Sequence, residues 1–317
     1  MNHLESAFNG KNSFWRYIAM FGAVLIASNL IGGIPLFIGY AKKIISNPEI
    51  IGKLAENPSD IGVLGFDPNV GLVMMLVPSI AGIIAFILLI KPLNGRTFKQ
   101  VINGTGSIRW ERFIISALVW AFLSAMYLIV YLKIDPSNFS LNNKTVTLIY
   151  LSIISLLLIP FQATLEEVLF RGYLMQGFAV LIRNRWFPLL MTSVLFGLMH
   201  CINPEIKEYG FLTMMAQYIL FGLVFGITTI LDDGIEVAMG AHTANNIFLC
   251  IFVTNNSSAL QSAAFYEQKT YYPWTEFWGV LFASAIFVII LKIIFKWNNF
   301  SRLWGRVNKS EGSIQLV

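Results

Sequence analysis

The sequence predicts an all-α, polytopic integral membrane protein of about eight transmembrane helices, with both termini in the cytoplasm. Three observations predict it. Of the 317 residues, 56% are hydrophobic and only 12% are charged, with a mean hydropathy of +0.67. A soluble domain is about 25% charged. Eight apolar stretches reach, or nearly reach, the roughly 20 residues a bilayer requires. The 22 Lys and Arg residues divide 15 to 7 when successive loops are assigned to alternate sides. The positive-inside rule puts the richer side, with both termini, in the cytoplasm.

The stretches, in order, are residues 17–40, 70–90, 113–132, 146–176, 187–202, 211–231, 235–254 and 274–295. The first follows Lys11 and Arg16, as a signal peptide's apolar core would. Its apolar run is too long for one, and no clean small-residue cleavage site follows, so it reads as an uncleaved helix. The fourth is overlong, and Pro160 would kink it or divide it in two. Residues 42–67 mix apolar and charged side chains, which suits a segment lying along the interface. Trp186, Trp274, Trp278 and Trp297 fall at helix ends, as an aromatic belt would place them. Gly222 and Gly226 form a small-xxx-small face suited to helix packing within the chain.

The net charge of +5 and pI near 9.1 fit cytoplasmic loops against an anionic leaflet, not a nucleic-acid partner. No basic run is interleaved with aromatics. Cys201 and Cys250 both lie in apolar segments, so no disulfide framework is implied. No internal repeat, low-complexity tract or linker divides the chain. It reads as a single membrane domain over residues 1–317, with a catalytic region over 150–250 and accessory transmembrane helices over 1–145.

The stretch Glu166-Glu167-Val168-Leu169-Phe170-Arg171 organises the rest. An ionisable residue at membrane depth costs about 2.5–3.5 kcal/mol on insertion scales, so it needs a partner or a job. Glu167 and Arg171 are four apart and share a helix face. Glu166 points about 100° away and lacks a partner in its own helix on this reading. His200 closes the fifth stretch, and His242 lies in the seventh with Asn245 and Asn246 at i+3 and i+4. His3, in the polar amino terminus, is assigned no role.

Any one of these polar residues is as well explained by glue between helices, worth about 0.6 kcal/mol. Together they fall on three helices of the carboxyl-terminal half, which points to one shared site. Counting at 1.5 Å per residue lets Glu166, His200 and His242 meet in the middle-to-cytoplasmic half of the membrane.

The residue types fit hydrolysis. Glu166 can act as general base on water with a histidine sharing the proton. The second histidine and an Asn amide can donate to an oxyanion. Equally, Glu166, His200 and His242 make a two-His, one-Glu zinc ligand set with an open position. No His-Glu-x-x-His motif is present. A non-proteolytic immunity or scaffold protein is a second reading. A proton-coupled transporter is a third, which inverted repeats would favour.

Three short motifs occur in order on hydrophobic helices: Glu-Glu-x-x-x-Arg at 166–171, Phe-x-x-x-His at 196–200 and His-x-x-x-Asn at 242–246. The ordered set resembles the CaaX protease and bacteriocin-processing (CPBP, or Abi) family of intramembrane endopeptidases. The resemblance covers roughly residues 157–249, and Phe170-Arg171-Gly172 continues the family run. It implies peptide-bond hydrolysis in membrane-associated substrates, either prenylated CaaX-like tails or bacteriocin precursors, in a multi-pass protein of the plasma membrane.

By motif, Glu166 with His200 would activate water, and His242 and Asn246 would stabilise the oxyanion. Glu167 and Arg171 would support them. The family is named for metalloproteases, which tips the balance slightly towards zinc, but a metal-free glutamate mechanism stays open. The motif spacing favours Asn246 over Asn245. Residues 313–317 contain no cysteine, so the chain carries no CaaX box of its own.

Overall fold

A computed structural model describes residues 2–56, 64–142 and 144–309. Residues 313–317, and the part of the 42–67 segment over 57–63, lie outside the described residues. The protein is built of helices, in chain order: α1 (Phe14–Ile26), α2 (Ile34–Ser46), α3 (Ile50–Glu56), α4 (Pro68–Asn94), α5 (Phe98–Asn103), α6 (Trp110–Ile134), α7 (Thr145–Glu167), α8 (Met175–Ile182), α9 (Trp186–Met199), α10 (Pro204–Tyr209), α11 (Phe211–Asp232), α12 (Glu236–Phe252) and α13 (Pro273–Phe295). Three short strands, β1 (Phe139–Leu141), β2 (Val253–Thr254) and β3 (Tyr266–Gln268), form one sheet in the order β1-β3-β2.

Each of the eight apolar stretches is helical, and six make spans long and apolar enough to cross a membrane: Phe14–Gly32, Pro68–Asn94, Trp110–Ile134, Thr145–Ile182, Phe211–Asp232 and Pro273–Phe295. The remaining two are short. α9 has 14 residues and α12 has 17. At 1.5 Å per residue α9 is roughly 21 Å long.

α12 can be short and polar because it is shielded. Glu236 through Ala244 are all buried, with α6, α7 and α11 packed around them. Gly240 makes the α6 contact possible, since a Cβ there would run into the Phe113 carbonyl and Ser116 Oγ. The outward helices instead show large apolar side chains, such as Leu118, Phe122, Leu157 and Phe282, as lipid-facing surfaces must.

Two boundaries differ from the sequence reading. The first helix does not run unbroken to Tyr40. It passes through a π-helical turn, Ala27–Gly32, and restarts as α2, with Pro35 in the first turn, where a missing N–H costs nothing. The 38-residue span Thr145–Ile182 is not broken at Pro160, which sits inside α7. Its irregularity is a π-helical segment, Val168–Leu174, starting directly after Glu167. Trp297 also departs from the aromatic belt. It is 6% exposed and donates to Asp232 Oδ1 at 2.9 Å. Trp186, Trp274 and Trp278 are exposed.

The ends of the chain meet on one face. Arg185 pairs with Glu5, and Arg302 with Asp233 at 2.7 Å. Asn184 bridges Arg306, and the Val307 amide donates to the Arg183 carbonyl at 3.1 Å. The amino terminus, the α8–α9 and α11–α12 turns and the carboxyl-terminal segment therefore share this face.

His3 belongs to it and is far from idle. It is 1% exposed, its Nε2 donates to the Arg171 carbonyl at 3.0 Å, and its Nδ1 accepts from Gln176 Nε2 at 3.1 Å. Gln176 cannot turn over, because its Oε1 already accepts from Arg96 at 2.7 Å. The sequence reading missed this residue because nothing in a polar terminus signals burial.

Candidate active site

Glu166 and Glu167 are the last two residues of α7. The π-helical segment that follows carries Arg171, and such wide turns recur at functional sites. Glu167 and Arg171 have fully buried side chains, with Glu167 Oε1 2.8 Å from Arg171 Nη1. The guanidinium lies 4.2 Å over the Phe196 ring and 5.5 Å from Phe225, and donates to the Gly222 carbonyl at 3.3 Å. A buried cation is held here by an anion, two ring faces and a carbonyl. The same Oε1 of Glu167 also accepts from His242 Nδ1 at 2.8 Å.

The second histidine arrives at the carboxyl end of α9. His200 caps that helix, and its Nδ1 donates to the Phe196 carbonyl at 2.8 Å. Glycines bring α9 and α11 close enough to place it. A Cβ on Gly222 would lie 2.7 Å from Ser193 Cα, and one on Gly226 would strike Leu189. The small-xxx-small face therefore packs helices within the chain. His200 stacks on Tyr218 of α11 with centroids 4.4 Å apart, and His242 stacks on Phe225 at 5.2 Å.

Glu166 faces both rings. Its Oε2 lies 3.9 Å from His200 Nε2 and 3.8 Å from His242 Nε2. Among the described residues this oxygen has no hydrogen-bond partner. Each imidazole uses its Nδ1–H on an acceptor, so each neutral ring turns a lone pair on Nε2 towards the carboxylate. Three acceptors thus face one spot, where the two hydrogens of a water molecule satisfy the carboxylate and one of the rings.

One expectation needs correcting: Glu166 does have a partner in its own helix. Gln162 Nε2 donates to its Oε1. Four-residue spacing was the available signal. Asn246 Nδ2 in turn donates to Gln162 Oε1 at 2.9 Å, and Asn245 Nδ2 to Asn246 Oδ1 at 3.0 Å. Asn246 lies next to the site and Asn245 behind it. Tyr218 also escaped the sequence reading, because a tyrosine in an apolar helix looks like packing. Glu205, in the first turn of α10, accepts the Ala259 N–H at 2.7 Å, and burial pushes its carboxyl above the usual range. That contact ties the 255–265 loop over the His200 end of the site.

The expected zinc set, Glu166, His200 and His242, is brought together, and its donor types suit zinc. The separations are wider than a formed metal site. No three His, Cys, Asp or Glu residues among those described are grouped to hold an ion. The Nδ1 contacts, Phe196 for His200 and Glu167 for His242, are of the kind a ligating histidine makes to its surroundings, so they orient the rings equally for a water or an ion.

Comparison with known proteins shows the family of the chain. Residues 145–248 match the profile described as type II CAAX prenyl endopeptidase Rce1-like. The uncharacterized protein YyaK of Bacillus subtilis (strain 168) is 32% identical over 259 residues, covering 81% of this chain and 84% of the relative. No solved structure matches the chain. All six motif residues fall inside the matched region, on helices of a multi-pass integral membrane protein. The chain therefore belongs to the Rce1-like family of CAAX-type intramembrane endopeptidases within the wider CPBP group.

Proposed function

We propose that this protein hydrolyses a peptide bond near the end of a membrane-associated substrate, a lipidated CaaX-like tail or a membrane peptide precursor, using water activated by Glu166. The observation that carries the reading is the unpartnered Oε2 of Glu166, set opposite two imidazole Nε2 atoms at 3.8 and 3.9 Å. Water there donates one hydrogen to the carboxylate and the other to an imidazole. Glu166 Oε2 takes a proton as the water oxygen bonds to the scissile carbonyl carbon. The carbonyl oxygen becomes an oxyanion. When the C–N bond breaks, the proton passes from Glu166 to the leaving nitrogen, and the carboxylate is restored.

Two groups meet the oxyanion. Asn246 has one amide hydrogen left after bonding Gln162. For turnover His242 takes up a proton from solvent on the Nε2 that is bare in the neutral ring and donates it to the oxyanion, its Nδ1 held by Glu167, while His200 accepts from the water. One such donor is worth about 2.7–4 kcal/mol. A zinc ion held by Glu166, His200 and His242 is the alternative activator, and it would lower the pKa of a bound water to about 7.

The test is cleavage of an internally quenched farnesylated CaaX peptide by the full chain in proteoliposomes. The native protein should cleave it, and Glu166→Gln should not. Equal cleavage by both would sink the proposal. Membranes bearing either form, compared for new peptide termini, would identify the natural substrate class.

A further inference from the structure

Glu166 is the end of a chain of hydrogen bonds that crosses three helices. Trp120 Nε1 on α6 donates to Asn245 Oδ1 at 3.2 Å, and Asn245 Nδ2 to Asn246 Oδ1 at 3.0 Å. Asn246 Nδ2 donates to Gln162 Oε1 at 2.9 Å, and Gln162 Nε2 to Glu166 Oε1. Three of the five members are side-chain amides, which could each be turned over without changing shape. Their direction is nevertheless fixed, because the two ends are not reversible. An indole is a donor only, and an ionised carboxylate is an acceptor only.

The direction has a chemical consequence. Suppose Glu166 took its proton on Oε1. The O–H would then meet the Gln162 N–H, donor against donor. Turning Gln162 over would force Asn246 and then Asn245 to follow, and Asn245 would present its NH₂ to the Trp120 N–H. The clash is only moved along the chain. Trp120 is 4% exposed and packed against Phe221, Phe225 and Phe287, so it has no room to turn aside. Oε1 therefore remains an acceptor whether Glu166 is ionised or protonated. The proton can arrive only on Oε2, the oxygen that faces His200 and His242.

We infer that Gln162, Asn245 and Trp120 are positioning residues that make Oε2 the sole basic oxygen of Glu166. The inference rests on Glu166 as the general base proposed above. Trp120 also anchors a hydrophobic cluster, so a purely structural role must be separable. Gln162→Leu keeps the size and removes the donor. Trp120→Phe keeps most of the packing and removes the indole N–H, freeing the amides to turn over.

The experiment uses the full chain in proteoliposomes with the quenched farnesylated CaaX peptide. Gln162→Leu should lower kcat per folded molecule roughly tenfold or more, with KM changed less than about twofold, because a misplaced base costs chemistry and not binding. Trp120→Phe should show a smaller loss of the same kind. A second readout needs no substrate. The infrared carboxylate bands of Glu166, isolated by subtracting the Glu166→Gln spectrum, should shift in Gln162→Leu.

Unshifted bands together with native kcat in Gln162→Leu would overturn the inference. So would losses that follow only the fraction of folded protein. If Glu166→Gln cleaves as well as the native chain, the proposed mechanism fails instead, and the infrared shift still decides whether the chain reaches Glu166.

Discussion

Glu167 holds His242 by the imidazole Nδ1 at 2.8 Å, with the same carboxylate oxygen that binds Arg171. One buried oxygen therefore both neutralises a guanidinium and sets the tautomer of a ring in the candidate site. Carboxylate–histidine pairs of this kind orient the ring and raise its basicity. The two neighbouring glutamates are thus assigned different work by their surroundings, although their chemistry is identical.

Glu166→Gln should leave folded protein in the membrane and lower turnover by about 10²-fold or more, the usual scale for a lost general base. Glu167→Gln should behave differently. It leaves Arg171 buried without its counter-charge, which costs about 3–5 kcal/mol. Folded yield should fall, and the surviving molecules should be slow because His242 has lost its orienting carboxylate. Specific activity per folded molecule, measured for both variants, checks this. A well-folded, inactive Glu167→Gln beside an active Glu166→Gln would reverse the assignment.

Water activation by Glu166 alone predicts activity without stoichiometric zinc. Metal analysis of purified, active protein tests it, together with turnover after chelation. Loss of activity on chelation, restored by adding zinc, would make His200 and His242 ligands instead.

His3 predicts an acid sensitivity. Burial pushes its pKa down from 6.5 to about 4, and its Nδ1 accepts from Gln176. The unfolded chain takes up a proton below pH 6.5, whereas the folded protein stays neutral at His3 until about pH 4. Stability should therefore be lost as pH falls through this window, by roughly 3 kcal/mol in all. His3→Gln should be less stable at pH 7 and flatter in its dependence from pH 7 to 4.5. Thermal midpoints of the two proteins provide the measurement, and parallel curves would remove His3 as the cause.

The chain ends and the 255–265 loop should lie on opposite sides of the membrane. We propose the cytoplasm for the ends, because that face carries the larger share of Lys and Arg. Reporters fused after Lys309 and inserted at Asn256 should give opposite locations. A shared location would remove one crossing from the count.

Much of this architecture was legible because membranes enforce simple rules. Apolar length located the helical stretches, six of them long enough to cross a membrane, and the i, i+4 spacing of Glu167 and Arg171 foretold their ion pair. Glu166, His200 and His242 stood out because ionisable groups are costly in hydrocarbon. Neutral polar groups gave a weaker signal, carried only by spacing: Asn246 from His242, and Gln162 from Glu166. Gln162 and Trp120 are ordinary residues in apolar helices, and only their tertiary neighbours reveal a directed chain. The π-helical segment after Glu167 was hidden for a related reason. Pro160 was the visible helix breaker, but the backbone widens further on, directly after Glu167, where no residue type marks it.

The shortness of α9 reaches beyond the protein. A helix of roughly 21 Å cannot match a hydrocarbon slab of about 30 Å. On the side away from the chain ends the remaining depth is filled by protein, the short α10 and the 255–265 loop that Glu205 ties down. Irregular backbone lies at such depth only where protein or water, and not lipid, meets its polar groups. A route for solvent to the His200 end therefore need not cross a full leaflet of hydrocarbon.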